Sequence, residues 1–600
     1  MIKLSDYVVS FLKSKGVKHI FMVTGGGSMH LNDSIGKEKS IKFVCNHHEQ
    51  ACAIAAESYA RMNNKVGVCH VTTGPGGTNT LTGLIGGWLD SIPMFFISGQ
   101  VKTSTSLHRF PKVRQFGVQE IDIVKMVKSV TKYAVTVWNP KDIRYCLEKA
   151  WFLTKEGRPG PVWIDIPLDV QSAMIEPLKL KSYESKDDSG MIELPKINSD
   201  IKNVCNLIAK AKRPVIVAGF GIRLSSSCNE FYRFINKLKI PVVTSLSSHD
   251  LMWENHPLYA GRFGLYGNRG GNFTIQNSDL LIVLGCRMSI WEIGYEYQNF
   301  AREAKKVMVD IDKNELNKPS FLPDIKINCD VNLFLSKLIK SVNSKKIPSF
   351  SLWVNQCKLW QKKYPVVLPE YSKKGKYVNY YYFIEKLSNR LNKNTVIITG
   401  NGTAFTGTCQ SLKIKKGQRL GINIGCASMG YDLPAAIGAY FSDPKKNIVL
   451  ITGDGSIQMN IQELQTIIYH KIPVKIFLIN NNGYLAIRIT QNNFFNRLFG
   501  TDKTNGVSFP SIGKISKAYG IPFVQIKNQD NLEKKLEKIL DVNGPCLCEV
   551  MMSPSQELIP KIKSKVGSDG KLHSSPLEDM YPFLTRKELY KNLFIKPLKT

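Results

Sequence analysis

A set of short apolar runs, rich in valine and isoleucine, recurs from one end of this chain to the other and constrains its fold more than any other feature. Val66-Gly67-Val68-Cys69-His70-Val71 and the runs at 94–98, 215–218, 280–284, 307–311, 395–398, 448–451 and 474–479 show little alternation of apolar with polar residues. A strand with one face in water alternates. Runs of this kind are buried on both faces, the condition of parallel sheets wrapped by helices. Helical spacing fills the intervals, as at Leu4, Val8, Phe11 and Leu12 before Lys15-Gly16. The expected fold class is α/β, built from three doubly wound parallel-sheet domains.

Two composition shifts divide the chain. Residues 176–200 form a polar, charged bridge, and residues 341–377 mix lysine, serine and proline with isolated aromatics; both read as linkers. They separate domains expected at 1–175, 195–340 and 375–555, with a tail at 556–600. Six hundred residues, 43% of them hydrophobic, suffice for large cores. No early apolar stretch has the length or flanks of a secretory signal or membrane span, so the expected location is the cytoplasm, without membrane attachment. Thirteen cysteines include no CxxC pair, and an odd total argues against a disulfide framework. A formal charge of +33 raises the question of a nucleic-acid partner. The basic residues are spread out, in segments such as 302–306 and 534–538, without a compact basic motif interleaved with aromatics; the reading is lysine-rich solvated faces and no nucleic acid.

Two segments of the last domain point to chemistry. Gly453-Asp454-Gly455 closes the run 447–452, and Asn480-Asn481-Asn482-Gly483 closes the run 474–479. Between them, capping-box spacing from Asn460 to Glu463 and a helix at 464–469, stopped by Pro473, make one strand-helix-strand unit. A right-handed crossover then sets both motifs at the carboxyl edge of one sheet. A carboxylate, an amide oxygen and a free backbone carbonyl there suit Mg2+, which completes its octahedron with phosphate and water. The pair reads as a diphosphate site, although Asp-Gly and Asn-Gly are each common in surface turns. In the first domain Glu49 opens a helix of small residues beside the run 41–45, in a place expected to be poorly solvated. It is either a charge favoured by the helix dipole or a functional acid. His47 and His48, adjacent on an extended segment, point to opposite faces, which speaks against a metal between them.

Taken in order, these segments resemble the acetolactate synthase-like, large-catalytic-subunit members of the thiamine diphosphate (ThDP) enzyme family. The resemblance is carried by His48-Glu49-Gln50-Ala51, Ala55-Ala56-Glu57-Ser58-Tyr59-Ala60-Arg61, Thr72-Thr73-Gly74-Pro75-Gly76-Gly77-Thr78-Asn79, Asp90-Ser91-Ile92-Pro93, Gly425-Cys426-Ala427-Ser428-Met429-Gly430 and the two motifs above. It implies pyrimidine-binding, central and diphosphate-binding domains. It also implies a metal held by Asp454, Asn481 and the main-chain oxygen of Gly483, with Gly453, Gly455 and Ser456 also in the cofactor site. Glu49 becomes the catalytic carboxylate bonded to ring N1′ of the cofactor, promoting the tautomer that removes the C2 proton. Met429 becomes the apolar wedge that bends the cofactor; a core methionine in a glycine-rich turn is the plainer alternative. In this family the cofactor lies between the first domain of one subunit and the third domain of its partner, which implies a homodimer or tetramer.

The resemblance extends to the central domain and to the substrates. Gly219-Phe220-Gly221, Thr244-Ser245-Leu246, Gly261-Arg262-Phe263-Gly264, Gly285-Cys286-Arg287 and Asp310-Ile311-Asp312 fall where FAD-binding members contact the flavin, although such glycines also make tight turns. The implied activity is carboligation: pyruvate or another 2-oxo acid loses CO2, and the remaining unit joins a carbonyl acceptor. Thr490 and Val118 stand where biosynthetic acetolactate synthases carry aromatics, and His30 and Asn32 are more polar than their counterparts. A roomier, more polar pocket suits a keto-sugar acceptor. The alternatives are a ThDP-dependent decarboxylase or C–C hydrolase, or a catalytically inactive scaffold or nucleic-acid-binding relative; Glu49, Asp454 and Asn481 speak against the inactive one.

Overall fold

In the computed structural model, which describes residues 1–184, 197–342, 347–566 and 570–598, the apolar runs form three six-stranded sheets, each parallel throughout. The first contains β1 (His19–Met22), β2 (Lys42–Cys45), β3 (Gly67–Val71), β4 (Met94–Gln100), β5 (Tyr133–Thr136) and β6 (Val162–Pro167), in the order β2-β1-β3-β4-β6-β5. The second contains β7 (Pro214–Ala218), β8 (Val242–Thr244), β9 (Tyr259–Arg262), β10 (Leu280–Leu284), β11 (Lys305–Asp310) and β12 (Ile325–Asn328), in the order β9-β8-β7-β10-β11-β12. The third contains β13 (Thr395–Thr399), β14 (Arg419–Gly421), β15 (Asn447–Gly453), β16 (Lys475–Asn480), β17 (Phe523–Ile526) and β18 (Cys546–Met551), in the order β14-β13-β15-β16-β18-β17. The first and third sheets thus share one topology. Helices cover both faces of the central strands, so Val215, Ile216 and Val217 are all fully buried and no alternation is needed.

In each sheet the strand order reverses direction at a central pair, between β1 and β3, β7 and β10, and β13 and β15. Connections leave those strand pairs toward opposite sides, opening a crevice at their carboxyl ends. The first and third domains meet through helices Glu49–Asn63 and Asp432–Ser442, whose small residues bring the backbones close. A Cβ on Gly438 would lie 2.0 Å from the Ala55 carbonyl oxygen, so glycine is required for this approach. One apolar core, including Ile54, Trp163, Tyr431 and Leu450, runs through both domains.

Two expectations change. Of the two expected linkers, residues 185–196 and 343–346 lie outside the described residues, but 351–363 form a helix rather than a bridge. Its buried Trp353, Cys357 and Trp360 are four and three residues apart; the isolated aromatics are the apolar stripe of a helix that packs on the central domain. The C-terminal segment is packed as well. Arg269 donates to the Met580 and Pro582 carbonyls at 3.1 and 2.8 Å, and Trp360 Nε1 donates to Asn592 Oδ1 at 2.8 Å. None of the thirteen cysteines, all among the described residues, is in a disulfide, and Cys45 is exposed on edge strand β2. Among the described residues no helix is long and apolar enough to cross a membrane.

Candidate active site

Strand β15 delivers Asp454 and neighbouring β16 delivers Asn481 to the same edge of the third sheet. The Asp454 amide donates to the Ile479 carbonyl at 3.2 Å, extending the ladder by one bond, and its Oδ2 accepts from the Gly483 amide at 2.9 Å. Burial pushes this carboxyl up to about 6, against the pull of the Gly483, Gly455 and Asn482 amides and the Arg488 charge. Gly483 has φ 133°, and a Cβ there would lie 2.1 Å from the Thr501 carbonyl oxygen; only glycine fits. Its own carbonyl, expected to be free, accepts from the Leu485 amide at 3.2 Å and keeps a second lone pair. Asn481 is buried, and its Oδ1 has no hydrogen-bond partner. Such an oxygen costs about 1–3 kcal/mol unless something positive meets it. Arg488 does not, because its Nη2 and Nη1 donate to the Asn481 and Asn482 main-chain carbonyls at 2.7 and 3.0 Å. A Cβ on Gly453 would meet nothing within 4 Å, so there is open space at the residue before Asp454.

The capping box between the two motifs does not form. A 3-10 turn, Ile457–Asn460, precedes helix Glu463–Tyr469, and Glu463 accepts instead from Asn46 Nδ2 at 2.8 Å and the His47 amide at 3.0 Å. Polar groups of the first domain reach this buried carboxylate, and they offer it donors that the local helix end would have supplied. Asn460 is likewise turned outward from its helix, donating to Gln50 Oε1 at 2.9 Å and to the Gly430 carbonyl at 2.7 Å.

Met429 is half-buried on a turn with Ala427 at φ 50° and Gly430 at φ 78°. The Gly430 amide donates to Ser456 Oγ at 3.0 Å, which ties the turn to the loop after β15. Glu49 stands at the start of its helix, half-buried rather than fully desolvated, and accepts from Asn79 Nδ2 at 2.9 Å. His48 Nδ1 accepts from the Gln50 amide at 3.1 Å and caps that helix. Within one chain, and among the described residues, no hydrogen bond or ion pair joins Glu49 to Asp454 or Asn481. Val118 is 83% exposed and Thr490 is exposed. Asn32 is half-buried, its Nδ2 donating to the Gly25 carbonyl at 3.1 Å and its Oδ1 lying 2.9 Å from Nε2 of buried His70.

Sequence reasoning overlooked Arg488 and the loop Gly400-Asn401-Gly402-Thr403, and read Glu463 only as part of a capping box. That loop ends β13 beside β15 and opens helix Gly402–Ser411, and Thr403 Oγ1 lies 3.4 Å from Asn481 Nδ2. The signal was present, since glycines follow the run 395–398 as they follow 447–452.

The central sheet has its own crevice. A cavity of about 620 Å3 opens between the ends of β7 and β10, lined in part by Phe220, Gly221, Gly285, Arg287 and Asp310. Gly219 and Gly285 approach so closely that a Cβ on the former would lie 2.2 Å from the latter's oxygen. Thr244 and residues 261–264 do not line it. Arg262 is buried in a domain joint, donating to the Gln410 and Leu412 carbonyls at 2.5 and 3.2 Å.

Comparison with known proteins finds matches along most of the chain. Residues 2–126 match the N-terminal TPP binding domain of thiamine pyrophosphate enzymes, residues 201–338 their central domain, and residues 400–550 their C-terminal TPP binding domain. The chain is 33% identical over 580 residues to acetolactate synthase 2, chloroplastic, of Nicotiana tabacum, covering 94% of this chain and 84% of the relative. It is 32% identical over 569 residues to the acetolactate synthase large subunit of Cyanidium caldarium, covering 92% and 94% respectively.

Proposed function

The chain belongs to the thiamine pyrophosphate enzyme family, and on that premise we propose that it is a ThDP- and Mg2+-dependent carboligase of the acetolactate synthase type. The observation that carries this reading is a buried carboxylate, Asp454, placed at one sheet edge with a buried amide oxygen, Asn481 Oδ1, that no hydrogen bond reaches. A divalent cation satisfies both oxygens. Asp454, Asn481 and the Gly483 carbonyl would hold Mg2+. Gly453, Gly455, Ser456 and the first turn of helix Gly402–Ser411 would take the diphosphate, whose charge suits a helix N-terminus. When bound, ThDP supplies the carbon nucleophile that releases CO2 from a 2-oxo acid such as pyruvate and passes the remaining unit to a carbonyl acceptor. Glu49 would share a proton with ring N1′, and Met429 would fill the space beneath the cofactor.

The reading includes a second copy of the chain, as a homodimer or tetramer. Glu49 and Asp454 are not joined within one chain, and Val118, Ile487, Phe495 and Phe499 are exposed apolar surface that a second copy would cover. FAD belongs to the proposal as the occupant of the central cavity, where Gly219, Gly221 and Gly285 allow close approach to a phosphate. Thr490 and Val118 favour a bulky polar acceptor of the keto-sugar kind, and the cytoplasm is the proposed location. The test is incubation of the purified protein with ThDP, Mg2+, labelled pyruvate and a panel of 2-oxo acids and keto-sugars, with products identified by mass spectrometry. Condensation with a keto-sugar is expected. Acetolactate and acetohydroxybutyrate alone would make the chain a plain acetolactate synthase, and acetaldehyde alone a decarboxylase.

A further inference from the structure

Asp90 follows helix Leu81–Leu89, is 7% exposed, and collects donors from all three domains. Arg61 Nη2 of the first domain reaches its Oδ2 at 2.7 Å, and Arg287 Nη2 of the central domain reaches its Oδ1 at 3.2 Å. From the third domain the backbone amides of Ile424 and Gly425 donate to it at 3.1 and 3.0 Å. Bonds from backbone amides to a carboxylate are charge-assisted and fix the chain itself, not only a side chain. These two amides open the turn that carries Met429. Contact here is tight: a Cβ on Gly425 would lie 2.6 Å from Leu89 Cβ and 2.7 Å from Asp90 Oδ1.

The far end of the same turn is held from the other side, by Ser456 Oγ on the Gly430 amide and Asn460 on the Gly430 carbonyl. The turn is therefore stretched between two anchors, the loop that follows β15 and Asp90. Arg287, the central-domain donor to Asp90, also donates to the Leu89 carbonyl at 2.5 Å and lines the 620 Å3 cavity. We propose that Asp90 is a positioning residue that sets the height of Met429 through the Ile424–Gly425 backbone, with Arg287 bracing it from the cavity side. The proposal rests on the ThDP reading above. Asp90 does not touch the cation group, so its loss should misplace Met429 without removing a ligand.

The test compares wild type, Asp90→Asn and Arg287→Ala by three measurements: exchange of the cofactor C2 proton with deuterium, ThDP affinity by calorimetry at fixed Mg2+, and melting of the protein without ThDP. Asp90→Asn keeps the shape of the side chain and loses its charge. Exchange should slow by about tenfold to a hundredfold, as for a small misplacement of reacting groups, while ThDP affinity changes by less than about threefold. Arg287→Ala removes the brace on Asp90 but leaves both backbone bonds in place, so exchange should slow by a smaller factor than in Asp90→Asn; slowing equal to or greater than that of Asp90→Asn overturns the backbone route. Equal exchange in wild type and Asp90→Asn, or loss of affinity in step with loss of exchange, overturns the positioning role. Absence of ThDP binding by the wild type instead overturns the underlying assignment, and the inference falls with it. Should Asp90→Asn not fold, Arg287→Glu sets a second carboxylate against Asp90, and slower exchange with retained affinity is again expected; unchanged exchange there overturns the role.

Discussion

Asp454 and Asn481 illustrate how two ordinary turn residues become a site once the sheet places them together. Asp454 holds its proton up to about 6, above the usual carboxylate value near 4, because burial penalises the charge. The folded, cation-free protein therefore binds this proton more tightly than the unfolded chain does. Its contribution favours folding at low pH, and stability is lost as pH rises through about 6, where the ionised carboxylate stays buried. A cation removes that cost. ThDP with Mg2+ should thus raise the melting temperature more at pH 7.5 than at pH 5, and equal shifts at both would exclude Asp454 as a ligand. Asp454→Ala should weaken ThDP binding in a way that added Mg2+ only partly restores, and Asn481→Ala should do so more mildly, having lost a neutral ligand. Unchanged affinity of both variants in calorimetry would rule the site out. Glu49→Gln should bind ThDP nearly as well as wild type yet lose C2 proton exchange, because an amide cannot share a proton with N1′ as a carboxylate does. Exchange at the wild-type rate would remove Glu49 from the mechanism.

Among the elements, the strands were legible because burial on both faces leaves an uninterrupted apolar run, and every run named in the sequence lies within or beside a strand. Helix 351–363 was not, since a stripe of two tryptophans and a cysteine among lysines looks like a bridge until the central domain covers it. The capping box at Asn460 failed for a related reason. Local spacing offers Glu463 a partner three residues away, but Asn46 and His47, more than four hundred residues distant in sequence, meet it first in the fold. The joint between helices Glu49–Asn63 and Asp432–Ser442 makes its own prediction. Gly438→Ala gains helix propensity of about 1 kcal/mol but drives a methyl into the Ala55 carbonyl, and overpacking of this kind costs about 1–3 kcal/mol. The variant should melt below wild type and show weakened coupling of the two domains in partial proteolysis; a melting temperature at or above wild type would mean that the helices separate without cost.

At the scale of the whole molecule, one core joins the first and third domains while Glu49 and Asp454 remain unjoined within the chain. If a second copy completes the site, mixing Glu49→Gln subunits with Asp454→Ala subunits should restore activity that neither has alone. Random pairing makes half the dimers mixed, each with one intact site of two, so about one quarter of wild-type activity is expected for a symmetric dimer. No recovery, with exchange of subunits verified by mass, would put the site inside a single chain. The sequence by itself determined the α/β class, the three parallel sheets and the edge to which Asp454 and Asn481 are delivered, because strand burial and crossover handedness are properties of local pattern and chirality. Only the tertiary structure decided that Glu463 and Asn460 serve the first domain, that Asn32 meets His70, and that residues 577–594 close over the central domain. Those outcomes depend on which polar group finds a partner across a domain boundary, and a buried hydrogen bond goes to the nearest donor in space, whose distance along the chain carries no information about it.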